Sequence, residues 1–299
     1  MRVGLILNHE EEPGGISPRW DDIRGFARDA EAVGADALWI ADHFLWDGDP
    51  WGRDPEGRYG SWEAWTTLAA LAAETSRVRL GTLVTCAGYR HPALVAKMAD
   101  TLDEITGGRF VLGIGAGDAP GEHERFGFNH DRRVSRFAEA LAIIVPLLRT
   151  GAVDFEGEFF QLRGAELRPR GLRRGGPPIL IGSLAHGPRV LGLVAEYADI
   201  WNGWIPHHND PAQVRALRAS VDDACAAIGR DPGSLARSVA IAVAFGDAPV
   251  PAIRGIPTEI AERMRAFGRE GIDEVQIRLF PNDRAALERF APVLEQLRA

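Results

Sequence analysis

An acid and an imidazole stand side by side in Ala41-Asp42-His43-Phe44, directly after an apolar run ending at Ile40. Neighbouring side chains at a strand end point to opposite sides of the chain, so one can face a cleft while the other anchors the loop. A histidine there can exchange a proton near neutral pH or hydrogen-bond a redox ring. Taken alone it equally fits a loop histidine that bonds backbone carbonyls. Gly113-Ile114-Gly115-Ala116-Gly117-Asp118 approximates a dinucleotide fingerprint, but Asp118 occupies the third glycine's place and no helix start follows directly. These glycines are expected to let a bulky ring lie against the backbone, leaving Asp118 at the mouth as a candidate proton donor. Gly182-Ser183-Leu184-Ala185-His186-Gly187-Pro188-Arg189 sets glycines, a hydroxyl and an arginine at the opening of a helix. That pattern serves as a phosphate cradle or as a plain turn with Pro188 at the first helical position. Leu80 to Cys86, running into Tyr89-Arg90-His91-Pro92, reads as a buried strand and a turn.

Other chemistries lack support. His9-Glu10-Glu11-Glu12, Glu122-His123-Glu124 and His207-His208 contain metal-ligand types, but none has the H-E-x-x-H spacing, and solvated loop charge is the expected reading. No G-x-S-x-G elbow is present, and neither Cys86 nor Cys225 has an evident histidine partner for nucleophilic work. Lys97 is the single lysine, and it falls inside a helical pattern, which disfavours Schiff-base chemistry. The net charge of −8 argues against nucleic acid as a partner. No apolar run is long enough for a membrane span or a secretory signal, so a cytoplasmic protein is expected; the expected partners are a small-molecule substrate and a second copy of the chain in a homodimer.

The elements that must position these residues follow from alternation. Short apolar runs at Val3 to Leu7, Ala37 to Ile40, Val78 to Thr85, Phe110 to Ile114, Ile179 to Ile181, Ala198 to Trp201, Ser238 to Phe245 and Val275 to Leu279 alternate with amphipathic helical patterns. Asp21 or Asp22 and Ser61 are candidate helix caps, and Pro146 is expected to kink or shorten its helix. Eight strand–helix repeats without a linker predict an α/β chain, one (β/α)₈ barrel over residues 1–299, with an excursion of short strands around Gly157 before strand five. The long connections, residues 8–20, 42–60, 116–131 and 246–257, all follow strands, on the side where barrels place function. Trp46, Trp51, Tyr59, Trp62 and Trp65 offer aromatic surface there for a substrate, a lid or a dimer contact.

In this order the segments resemble the luciferase-like monooxygenase superfamily, particularly its branch using the deazaflavin coenzyme F420. The resemblance covers nearly the whole chain and is densest over residues 76–81, 90–97, 101–103 and 107–117. It implies a TIM-type barrel with an inserted segment before strand five. It also implies that Asp42 and His43 flank the deazaflavin ring, that Leu83 and Val84 form a non-prolyl cis peptide behind it, and that Trp46 lies nearby. The turn carrying Gly182, Ser183, Leu184, Gly187, Pro188 and Arg189 matches the family's phosphate-binding turn. Asp118 stands where glucose-6-phosphate dehydrogenases of this branch carry a glutamate acid, and its shorter reach disfavours their substrate. The implied activity is hydride transfer between F420 and a small organic substrate, with His43 and Asp118 handling protons. An FMN-dependent monooxygenase using reduced flavin and oxygen is the alternative. A cofactor-binding protein without turnover is the alternative of another class.

Overall fold

The computed structural model describes residues 1–12, 14–49, 51, 54, 56–183, 187–204 and 209–299. The elements run β1 (Arg2–Ile6), α1 (Trp20–Ala32), β2 (Ala37–Ile40), β3 (Leu45–Asp47), β4 (Arg58–Gly60), α2 (Ala64–Glu74), β5 (Arg79–Thr82), β6 (Thr85–Cys86), α3 (Pro92–Ile105) and β7 (Phe110–Gly115). They continue through α4 (Pro120–Arg125), α5 (Arg133–Thr150), β8 (Ala152–Glu156), β9 (Gln161–Glu166), β10 (Ile179–Ser183), α6 (Pro188–Tyr197) and β11 (Ile200–Trp204). The chain ends with α7 (Pro211–Ala227), β12 (Ala236–Ala244), α8 (Pro257–Arg269), β13 (Glu274–Phe280) and α9 (Arg284–Arg298).

Strands β1, β2, β5, β7, β10, β11, β12 and β13 pair in parallel, each with the next. Val3 opposite Val275 and Leu5 opposite Ile277 close the ring, as the eight repeats require. Closure removes the exposed sheet edges, and both faces of each strand are covered, which explains their near-continuous apolar runs. Outward residues such as Leu5, Leu38, Leu80, Leu112 and Ile181 join the helices in the main core. Inward residues Ile6, Ala37, Trp39, Val111, Leu180, Ile200 and Ala240 fill the barrel. Gly4 and Gly81 admit the Trp39 indole, since a Cβ at either would lie 2.4 Å from it. Trp39 Nε1 donates to Glu274 Oε1 at 2.9 Å, and Glu274 also binds Arg2 and Arg79. This layer plugs the N-terminal end and leaves the C-terminal end as the open mouth.

Several local expectations are corrected. The third strand is interrupted at Leu83-Val84 and resumes as β6 against β7; the peptide there is cis, as the resemblance implies. Helix α5 continues through Pro146 to Thr150, held by buried Ile143, Ile144, Leu147 and Leu148 on either side of the missing N–H. Ser61 is not the cap of α2; Glu63 is, accepting Trp65 N–H at 3.2 Å and Thr66 N–H at 2.6 Å. Neither Asp21 nor Asp22 is the N-cap of α1; Arg19 is, and Asp22 accepts its backbone N–H at 2.9 Å. The excursion of short strands expected around Gly157 is present as the β8–β9 hairpin. The connections expected to be loops carry structure: β3 pairs β4 within 42–60, and α4 lies within 116–131.

Candidate functional site

A cavity of about 570 Å³ opens at the C-terminal end of the strands, within the range typical of small-molecule and cofactor sites. Its wall draws on segments between Ile6 and Trp204. Asp42, His43 and Trp46 follow β2, Leu83 and Val84 break the third strand, Asp118 follows β7, and Gly182 and Ser183 end β10. Glu10, Trp51, Cys86, Tyr89, Arg133, Val190, Asn202 and Trp204 also line it.

His43 is the best-defined group in this wall. Its Nδ1 lies 2.8 Å from Glu122 Oε2, and its ring stacks on Trp46 with centroids 3.6 Å apart. Burial pulls the imidazole pKa down, but the hydrogen bond and charge of Glu122, aided by Asp118 and Asp42, outweigh that and hold it above 6.5. Glu122 also accepts the backbone N–H groups of Phe44 and Leu45 and the Tyr89 hydroxyl. Burial raises the Glu122 pKa, yet these donors and His43 bring it down to about 2, so it is ionised. The Trp46 indole N–H is buried with no acceptor among the described residues, and so is that of Trp51.

Asp42 borders the cavity, but its side chain is fully buried. Arg90 grips it at two points, and Cys86 N–H donates to Asp42 Oδ2 at 3.1 Å. Asp118 is exposed at the rim, and beside it Arg133 donates to Gly117 O at 2.8 Å. Cys86 does have a histidine partner, His123 Nε2 at 3.5 Å, but burial pushes its thiol up to about 12, so it is no nucleophile at neutral pH.

The glycines of the Gly113–Gly117 run do not simply clear space for a ligand. A Cβ at Gly113 would lie 1.8 Å from Thr82 O, and one at Gly115 would lie 2.9 Å from Val84 Cγ2, so they accommodate the Leu83-Val84 break. Gly182 meets Val84 in the same way at 3.1 Å. In the turn beyond, Leu184 lies outside the described residues, as do Ala185, His186, His207 and His208. Gly187 is the N-cap of α6, with no side-chain cap, and Pro188 is its first residue. Arg189 points along the outside, donating to Ser135 Oγ at 3.0 Å, and does not line the cavity; Arg133 and Val190 do. The helix turns Arg189 outward one position before Val190 faces in.

Of the aromatic candidates, Trp46 and Trp51 reach the cavity, joined by Trp204. Trp65 packs on Phe110 inside the fold, Trp62 is half-exposed and donates to Pro18 O, and Tyr59 is buried beside Asp54. Glu122 and His123, expected to be solvated, are each 1% exposed. The signal for Glu122 was Pro120 as a helix start, which turns a charged loop into one turn of helix with an inner face.

The luciferase-like monooxygenase family model matches residues 1–265. The chain is 34% identical over 249 residues to the F420-dependent hydroxymycolic acid dehydrogenase of Mycobacterium tuberculosis, covering 82% of this chain and 63% of that protein. It is 34% identical over 212 residues to the 5,10-methylenetetrahydromethanopterin reductase of Archaeoglobus fulgidus, covering 71% of this chain and 57% of that one. It thus spans less than two thirds of the length of both relatives. The solved structure of an F420-dependent secondary alcohol dehydrogenase, in complex with an F420-acetone adduct, superposes with a TM-score of 0.81 at 20% identity, covering 100% of this chain and 99% of that one. The barrel and the match over most of its length together establish the assignment: this chain belongs to the luciferase-like monooxygenase family.

Proposed function

We propose that this chain is an F420-dependent oxidoreductase that moves a hydride between the coenzyme and a small organic substrate bearing an alcohol or carbonyl oxygen. The observation that carries this reading is His43 at the cavity wall, held by Glu122 through Nδ1 and stacked on Trp46. An imidazole fixed in this way suits a substrate oxygen whose proton it exchanges. When bound, the deazaflavin supplies a ring carbon that accepts or releases a hydride and activates oxygen poorly.

The chain's own groups then have separable tasks. The Leu83-Val84 wall and the apolar lining give a planar ring a surface to lie on. The positive end of α6, with Gly182, Ser183, Gly187 and Pro188, suits a phosphate, and Arg133 adds positive charge at the rim. His43 exchanges the substrate's hydroxyl proton, and Asp118 is the second proton-carrying group. The names of the sequence relatives, two of them a dehydrogenase and a reductase, support redox chemistry of this kind. The family's own description as a monooxygenase favours a second reading, oxidation by reduced FMN and oxygen.

Anaerobic loss of oxidised F420 absorbance with a panel of secondary alcohols tests the proposal. Turnover is expected, with His43→Ala and Asp118→Asn each lowering kcat by about 10²–10⁴-fold, the usual worth of a positioned acid or base. Substrate oxidation only with reduced FMN and oxygen would select the second reading. Tight cofactor binding with no turnover by any acceptor would mean a carrier rather than an enzyme. Near-normal turnover in both variants would show that other residues move the protons.

A further inference from the structure

We propose that Glu122 is the positioning residue of this site: it fixes His43 as the Nδ1–H tautomer and leaves Nε2, on the cavity side, as the ring's one proton-exchanging atom. Glu122 sits on α4, a single turn begun by Pro120, and collects four donors on its two oxygens. His43 Nδ1 at 2.8 Å and the Tyr89 hydroxyl at 2.5 Å share Oε2. Phe44 N–H and Leu45 N–H, the latter at 2.9 Å, share Oε1. The carboxylate is thus anchored to the segment that carries the imidazole, and the Trp46 ring closes over the face of that imidazole. Rotation of the ring would break both contacts at once.

An ionised carboxylate only accepts hydrogen bonds, so the nitrogen facing it must carry a proton. In the neutral ring Nε2 then holds the lone pair, and no described residue occupies it. This role rests on the hydride-transfer function proposed above. As the substrate's C–H electron pair leaves with its hydrogen as hydride, the O–H proton passes to Nε2, and the C–O bond becomes a carbonyl. The resulting imidazolium is stabilised by the adjacent Glu122 charge. The reverse reaction returns the same proton. A buried carboxylate behind a catalytic imidazole acts in this way in hydrolytic triads; here it would serve redox chemistry.

Glu122 also holds two backbone groups, so a purely structural role has to be separated from positioning. Glu122→Gln does this, because its amide oxygen can still accept from Phe44 and Leu45 while its amide nitrogen cannot accept from Nδ1. The test is ¹⁵N-histidine NMR across a pH titration of the full chain, with the His43 signals assigned from His43→Gln, together with the pH profile of kcat/KM. In the wild type the neutral ring is expected to be protonated at Nδ1. In Glu122→Gln it is expected to switch to the Nε2–H form, the profile's His43 limb to move down by about 1–3 pH units, and kcat to fall by about 10²-fold or more. A wild-type ring protonated at Nε2, or a Glu122→Gln protein with unchanged tautomer and profile, would overturn the proposal. If that variant does not fold, the wild-type tautomer alone decides. If the wild type shows the Nδ1–H form but transfers no hydride, the fault lies in the proposed function and not in the positioning.

Discussion

Asp42 and Arg90 form a two-point ion pair at the rear of the cavity, with Nη1–Oδ2 at 2.6 Å and Nη2–Oδ1 at 3.0 Å. Arg90 Nη2 also reaches Glu63 Oε1 at 2.6 Å, and Asp42 takes the Cys86 N–H, so one junction ties together the end of β2, β6 and the start of α2. Burial lowers the Arg90 pKa, but its bonds to Asp42 and Glu63 outweigh that and raise it. Arg90→Ala leaves the Asp42 carboxylate buried without its partner. It should destabilise the fold by about 3–5 kcal/mol in chemical denaturation. Replacing both residues with leucine should recover much of that loss; equal loss in the single and double variants would show that the pair is not the cause.

Gly113 should be the least replaceable glycine of the barrel mouth. An alanine Cβ would meet Thr82 O, a backbone atom that cannot swing aside, whereas Gly192 on α6 has no atom within 4 Å. Gly113→Ala is expected to destabilise by about 1–3 kcal/mol or more, and Gly192→Ala to stabilise by about 0.5–1 kcal/mol. Urea midpoints of the two variants check this directly. Equal midpoints would remove the packing argument.

Stability should carry a pH signature of the His43–Glu122 pair. Glu122 is depressed from 4.5 to about 2, so its contribution is complete above 4.5 and is lost as pH falls through about 2. His43 is raised above 6.5, so its contribution is complete below 6.5 and is lost as pH rises through the elevated value. The pair is one interaction seen from two sides, and its full effect lies between pH 4.5 and 6.5. The stability difference between wild type and Glu122→Gln should therefore peak in that window and shrink on both sides. A difference that is flat with pH would show that the pair contributes no charge interaction.

The barrel was legible because short, mostly apolar runs alternate with helices that show one apolar face, and the first and last of these runs pair to close it. Asp42, His43, Leu83, Val84, Asp118, Gly182 and Ser183 could be placed at one mouth because each follows or ends a strand. What sequence did not reveal was which charge is buried. Glu122 reads like its neighbour Glu124, yet the turn of α4 hides one and exposes the other. Arg189 was the expected phosphate partner and Arg133 was not singled out, yet α6 turns the first outward and α5 brings the second to the rim. Trp204 gave no signal, since its neighbours read only as the end of a strand.

That difference between the arginines gives an expectation for cofactor affinity. Arg133→Ala should weaken F420 binding more than Arg189→Ala, with saturated turnover nearly intact in both. Kinetics at saturating cofactor separate affinity from turnover. A larger loss from Arg189→Ala would move the anion site to the outer face of α6.

Parallel equilibrium titration of the purified protein with F420 and with FMN, followed by fluorescence, tests the central claim most directly. Saturable binding of F420, at least about tenfold tighter than FMN, is the expected result; each tenfold corresponds to about 1.4 kcal/mol. Preference for FMN by a similar factor, or no saturable binding of F420, would contradict it.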